Sequence, residues 1–229
     1  MLTQKKLKIA VITAISGLSN KLINPKIKFD NVDYFAFVDN IQIDSIWTQY
    51  KITDFTIDKE FKGRRNAKIY KILPHLFVPD YDYYFWVDST HEVILDPHHV
   101  ISNIICNAEI ALFKHPHRNC VYDEARELIK LKYDNIENIE RQINFYLTNN
   151  YPANNGLYEL PCSIRKNTPR INALNLMWWE IISKYSSRDQ ISLPYAMSQF
   201  GINPFILNGF ANNGLYANEI MPQVRNKFY

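Results

Sequence analysis

Tyr81-Asp82-Tyr83-Tyr84-Phe85-Trp86-Val87-Asp88-Ser89-Thr90 decides the fold. Its centre, 83–87, is a run of aromatic and apolar residues without a charge, the pattern of a short strand buried on both faces. The run ends on a carboxylate, Asp88. Comparable runs stand at 7–15, 34–38, 110–113 and 204–207. The first is preceded by Lys5-Lys6 and imitates a short signal peptide, but its β-branched content and Lys8 favour an opening strand.

Helical patterns separate these runs. Residues 64–76 carry Arg64, Lys68, Lys71 and His75 at helical spacing, with Ile69, Ile72, Leu73 and Leu76 opposite. Pro74 unsettles the last turn of that helix. A charged pattern over 122–147 predicts a second helix. The third, 169–185, opens on the capping pair Thr168-Pro169 and aligns Ile171, Leu174, Trp178, Ile181 and Tyr185. A fourth runs from Ser187 to near Gly201, with Ser187 and Gln190 spaced as a capping box. Residues 146–158, rich in Asn, read as a long loop facing the site. Strands alternating with helices predict an α/β chain, a Rossmann-like, mostly parallel sheet flanked by helices. Its crevice would lie at the carboxyl ends of the strands. With no repeat and no linker, 1–229 reads as a single domain.

Composition narrows the chemistry. There are 229 residues, 47% hydrophobic, with 26 Lys+Arg against 23 Asp+Glu, hence a net charge of +3. Disorder and disulfide scaffolds are excluded, and bulk charge does not argue for nucleic acid. The six glycines, at 17, 63, 156, 201, 209 and 214, form neither GxGxxG nor GxxxxGK[ST]. A phosphate ligand would therefore be held largely by side chains. Cys106, Cys120 and Cys162 show no CxxC spacing, so a reducing, cytoplasmic location is expected, with the inner membrane surface as an option within it. No run reaches the 18 apolar residues of a membrane span.

The candidate site follows from what ends each strand: Thr13–Ser16, Asp39, Asp88, and 114–118 with His115 and Arg118. A carboxylate at a strand end can present a divalent cation to a pyrophosphate, because a hard cation prefers oxygen and leaves positions open for phosphate. A two-acid D-x-D is absent, since Thr90 occupies the third position. Asp88 capping the following turn is the alternative. The basic stripe Arg64, Lys68 and Lys71 suits a diphosphate, or is a solvated helix face. Arg188 would sit near the leaving diphosphate. Asp189 would orient the donor or take a proton, and also suits a helix N-terminus. Glu159 is a further candidate carboxylate, and Trp179 is a candidate surface for sugar stacking.

The segments RRNAKIYKILPHLFVPDYDYYFWVDSTHEV, FKHPHRNCVYDEA and NNGLYELPCSIRKNTPRINALNLMWWEIISKYSSRDQISLPYAM together resemble a glycosyltransferase-like family first catalogued as a domain of unknown function. It includes plant mucilage-related Golgi proteins and many bacterial sequences. The ordered motifs Lys-x-x-Pro-His, Tyr-Asp-Tyr, Trp-x-Asp, His-Pro-x-Arg-x-Cys-x-Tyr-x-Glu and Arg-Asp-Gln span roughly 61–200. The resemblance implies a GT-A-type fold, a nucleotide-sugar donor, most simply UDP-linked, a glycan or other hydroxyl acceptor, and Mn²⁺ or Mg²⁺. It implies Asp88 as metal or donor carboxylate, and Arg64, Lys68 and Lys71 as donor-side bases. It further implies His115 and Arg118 in the crevice loop, and Asp189 as catalytic or donor-sugar carboxylate. Thr13, Asp39 and Arg188 complete the expected donor side, Trp179 the acceptor side, and Glu159 is the alternative base. One plant relative is a reported ceramidase, so a metal-dependent amidohydrolase using His115 or His117 is an alternative. A silent carbohydrate-binding module is another.

Overall fold

A computed structural model describes residues 6–17, 22–55, 61–211 and 219–224. The strands are β1 Ile9–Ile15, β2 Val32–Val38, β3 Thr48–Lys51, β4 Tyr83–Val87, β5 Ile110–Lys114, β6 Tyr158–Lys166 and β7 Phe205–Leu207. They form a single sheet in the order β3-β2-β1-β4-β6-β5-β7. β1 pairs parallel with β2 and β4, β2 with β3, and β5 with β7. β6 runs antiparallel to both β4 and β5, so the remaining strands all point the same way. The carboxyl ends of β1, β2, β4 and β5 share one edge with the beginning of β6, and that edge carries the site.

The helices are α1 Lys62–Ile72, α2 Pro74–Phe77, α3 Pro97–His99 leading into a π-turn at Val100–Ile104, α4 Val121–Lys130, α5 Ile136–Thr148, α6 Pro169–Lys184 and α7 Asp189–Gln199. Period-two alternation divides the core. On one face Ala10, Ile12, Tyr84 and Trp86 pack against Ile69 of α1 and Trp178 of α6. On the other, Ile9, Val11, Tyr83 and Phe85 meet Val100, Ile101 and Ile105. Trp178 is fully buried and donates from Nε1 to Ser192 Oγ at 2.9 Å, fastening α6 to α7. Burial of a side chain of this size contributes at least about 1.5–3 kcal/mol.

Most expected elements are present. Thr168 caps α6 by accepting from the Ile171 backbone N–H, with Pro169 at the first position. Gly201, at φ 58°, ends α7: Ile202 N bonds Met197 O and Gly201 N bonds Ser198 O, the paired bonds of a Schellman motif.

Several boundaries differ for physical reasons. The helix expected over 122–147 is two helices, broken where Lys132 takes φ 53° and Asn135 caps α5 through Asn138 N. The helix expected over 64–76 ends at Ile72, because Pro74 starts a new turn. The capping box at Ser187 does not form. Arg188 is the N-cap residue of α7 and makes no side-chain capping bond, and Ser187 Oγ donates to Asp134 instead. The loop expected over 146–158 is shorter, since α5 runs to Thr148 and Tyr146 is fully buried. β3 and β6 are additions to the sequence reading. β3 is a four-residue polar edge strand, and β6 hides its burial behind Glu159, Pro161 and Arg165.

Candidate active site at the strand ends

The loop after β1 is tied to the end of β2. Asp39 accepts from Gly17 N at 2.6 Å and from Ser16 Oγ at 3.2 Å. Gly17 has φ +69°, where a side chain would be strained. α1 begins directly against this loop: a Cβ on Gly63 would lie 3.0 Å from Ser16 O and 3.3 Å from Gly17 Cα. The glycines expected to be too scattered for phosphate binding thus permit a close backbone approach that seats α1 at the crevice.

Two buried arginines hold α1 in place. Arg165 of β6 donates to Ile72 O and Lys71 O, the last carbonyls of α1, and to Asn175 Oδ1 at 2.7 Å, while facing the Trp178 ring at 5.4 Å. Burial draws its guanidinium down to about 9, and Tyr84 opposes the shift. Arg65 donates to Ile182 O and Tyr185 O at the end of α6. Each cation answers the carbonyl end of a helix, where positive charge is favoured.

With α1 so fixed, its basic residues point into the molecule. Lys71 Nζ lies 2.5 Å from Asp189 Oδ2 and also donates to Leu160 O. Lys68 Nζ is 3.0 Å from Asp189 Oδ1 and donates to Ser187 O at 2.6 Å. Arg64 donates to Tyr133 O at 2.8 Å and to Ser187 Oγ at 3.3 Å. The Arg188 guanidinium sits over the Tyr133 ring at 5.6 Å and bonds Gln190 Oε1. The stripe is therefore packed against α7 and the link that precedes it, and is not a solvated face. Arg64, Lys68, Lys71 and Arg188 are close enough to interact, and Asp134 and Asp189 are their acidic neighbours. Cations outnumber carboxylates in this cluster.

Ionisation follows this layout. Burial, with Arg188, Lys71 and Arg64 adding to it and Asp189 opposing, pulls Lys68 down to about 7. Burial and Arg188 lower Arg64 as well. Burial alone would raise Asp189, but Lys68, Lys71 and Arg188 outweigh it and hold the carboxyl well below its ordinary range.

Asp88 belongs to the same constellation. Trp86 Nε1 donates to Asp88 Oδ1 at 2.9 Å, and Lys71 Nζ lies 5.5 Å from the centre of the Trp86 ring. The Asp88 backbone is pinned by N–H to Pro161 O and by its own carbonyl to His91 N. The indole thus lies between a half-buried carboxylate at the end of β4 and Lys71 of α1.

The other expected residues take several positions. Thr13 is buried on the face of the sheet opposite α1, and its hydroxyl, without a partner among the described residues, lines a small cavity with Tyr34, Trp47 and Ser89. His115 Nδ1 accepts from the backbone N–H groups of His117 and Arg118, and its Nε2 is 3.7 Å from Glu124. Burial pushes this imidazole down, against the pull of Glu124. Arg118 bonds Glu124 at 2.6 Å, so these two residues organise the loop after β5. The His115 ring therefore has both nitrogens turned to protein groups. Glu159 is buried and accepts from Ala211 N at 2.8 Å. Trp179 is half-buried against the α1-side core.

Three residues were missed in the sequence. His91 Nε2 meets Ala211 O at 2.8 Å and Nδ1 meets Thr90 Oγ1 at 2.9 Å. The carbonyl can only accept, so Nε2 carries the proton, and His91 and Glu159 hold the two sides of Ala211. Arg165 and Asp134 are the other two. No local motif marks any of them.

Among the described residues no three His, Cys, Asp or Glu side chains converge to hold a metal. A cation caged by the side chains of the described residues alone therefore does not fit. One that arrives with a diphosphate does, because Mg²⁺-like ions take one or two carboxylates and complete their shell with phosphate oxygens and water.

Residues 2–218 match the model of a family described as TOD1/MUCI70, glycosyltransferase-like domain. The chain belongs to this family. An Arabidopsis thaliana relative, "Probable hexosyltransferase MUCI70", is 32% identical over 142 residues, which are 57% of this chain and 24% of the relative. The match thus spans about a quarter of the curated relative's length. Among solved structures, mouse xyloside xylosyltransferase 1 in its apo form superposes with a TM-score of 0.51 at 8% identity, over 88% of this chain and 86% of that one. This is a likeness of fold, and the TOD1/MUCI70 chain has the expected GT-A-like α/β architecture. Among the described residues no helix is long and apolar enough to cross a membrane.

Proposed function

We propose that this TOD1/MUCI70 domain transfers a hexosyl group from a nucleotide-diphosphate sugar, UDP-linked, to a hydroxyl of a glycan or glycoconjugate. The observation that carries the reading is the surplus of buried positive charge beside Asp88 at the strand ends. The leaving diphosphate gains negative charge as the glycosidic bond breaks, and preorganised cations in a water-poor crevice stabilise that charge. Lys68, Arg64 and Arg188 are the groups for it. Asp88 would hold a Mn²⁺ or Mg²⁺ ion that supplies further positive charge to the diphosphate.

Asp189 has both oxygens on lysine ammonium groups and is held well below the ordinary carboxylate range. It is therefore a weak base, and its part is to hold the Lys68 and Lys71 side chains in place. Glu159, bonded to a backbone N–H, anchors the chain at Ala211; acting as base would require releasing that bond.

A screen of nucleotide sugars with Mn²⁺, read as nucleotide release, tests the reading. UDP release from at least one UDP-hexose is expected, whereas silence with every donor, joined to no UDP binding at millimolar concentration, overturns it.

Lys68 provides a finer test. Its ammonium is pulled down to about 7, so at pH 8 much of it is neutral, and a bound diphosphate draws the proton back. Calorimetry of UDP binding at pH 8 in two buffers of different ionisation enthalpy should show uptake of up to about one proton. Affinity should fall as pH rises from 7 to 9. Lys68→Met should abolish the uptake; equal uptake in that variant contradicts the assignment.

A further inference from the structure

The turn between α4 and α5 delivers a carboxylate that the donor reading does not use. Asp134 is buried, and its Oδ2 accepts from Ser186 Oγ, Ser187 N and Ser187 Oγ, each at 2.7 Å, while Oδ1 accepts from Asn135 N at 2.8 Å. Ser186 and Ser187 are fully buried and form the link between α6 and α7. The same hairpin grips this link once more and α7 beyond it: Gln142 Oε1 accepts from Ser186 N, and Tyr146 donates to Ile191 O at 2.9 Å in α7.

What the link presents on its other side is the cationic cluster. Ser187 O accepts from Lys68 Nζ, Ser187 Oγ accepts from Arg64, and Asp189 two residues on receives both lysines. Tyr133, the neighbour of Asp134, supplies the carbonyl for Arg64 and the ring beneath Arg188. The α4–α5 turn therefore touches Arg64 and Arg188 directly and reaches Lys68 through Ser187. Burial would raise the Asp134 carboxyl, but the bonds from Ser186, Ser187 and Asn135 hold it below its ordinary range, so it stays an acceptor at neutral pH.

We propose that Asp134 is a positioning residue of the donor site, holding Ser187 so that its carbonyl and hydroxyl oxygens place Lys68 and Arg64 against the diphosphate. This rests on the donor reading above. A buried carboxylate with one oxygen given wholly to one link does more than fill space: its loss would leave Ser187 N–H and two hydroxyls to find other acceptors, and the link would relax away from the cations.

Titration of UDP with Mn²⁺ into the full chain tests it. Asp134→Asn should weaken binding about tenfold and Ser187→Ala about threefold. The double variant should lose less than the product of the two, because both changes break one linkage. Ile139→Val, in the buried face of α5, should bind within about twofold of the parent, separating a loosened hairpin from a displaced turn. Should Asp134→Asn fail to fold, Ser186→Ala, which removes a bond to Asp134 from a side chain that touches neither Lys68 nor Arg64, takes its place and should weaken binding about threefold, with undiminished binding overturning the inference. Undiminished binding by Asp134→Asn or Ser187→Ala, or losses that multiply fully in the double variant, overturns the inference while the donor reading stands. No binding by the parent overturns both.

Discussion

Asp189→Asn should be the most damaging conservative change in this chain, lowering stability by about 3–5 kcal/mol and abolishing transfer. The substitution keeps the shape of the side chain and removes its charge. Lys68 and Lys71, whose side chains are 12% and 3% exposed, then stand in the interior without the carboxylate that compensates them. Breaking one side of a buried ion pair is far more costly than replacing the whole pair by apolar groups. Adding Lys68→Met to Asp189→Asn should therefore recover part of the lost stability, a non-additivity that urea unfolding at pH 7 would measure.

The pH dependence carries the same signature. Asp189 is held below its unfolded value, so its contribution is fully present above about pH 4 and lost as pH falls below that range. The difference between parent and Asp189→Asn should shrink on acidification. A difference that is constant from pH 7 to pH 3 would contradict the ionised pair.

Asp88→Asn should have the opposite profile: a fold close to intact and a loss of transfer of at least about a hundredfold, in the range found when one preorganised group at a developing charge is removed. The amide oxygen that this substitution introduces can still accept from Trp86 Nε1, and the backbone bonds of Asp88 to Pro161 and His91 do not involve the carboxylate. What disappears is the negative oxygen that a hard cation prefers. Thermal unfolding alongside steady-state assays separates the two effects. A variant with ordinary turnover would remove Asp88 from the site.

The parts legible in the sequence are those whose signal is local. β4 is an uninterrupted apolar run, α6 announces its start in Thr168-Pro169, and α7 stops at a glycine with positive φ. The basic spacing of Arg64, Lys68 and Lys71 was equally visible, and the structure brings these residues together with Arg188 and Asp189. Whether that stripe faced water or protein was not visible. Hydropathy treats Arg65, Lys71 and Arg165 as surface residues, because the carbonyls and carboxylate that receive them lie far away in sequence. β6 went unseen for the same reason: Glu159 and Arg165 look exposed until Ala211 N and the end of α1 are placed beside them. Asp134 lies in a helix break and meets Ser187 53 positions later, a contact that tertiary structure alone creates.

These pieces converge on one claim, that the strand-end crevice takes a nucleotide diphosphate through Asp88 and the α1 cations. Calorimetric titration of UDP into the parent protein and Asp88→Asn, each with and without Mn²⁺, tests it most directly. The expected result is saturable binding by the parent that Mn²⁺ strengthens, and binding by Asp88→Asn that Mn²⁺ leaves unchanged. Equal enhancement by Mn²⁺ in both proteins, or no binding by the parent at millimolar UDP, would contradict the claim.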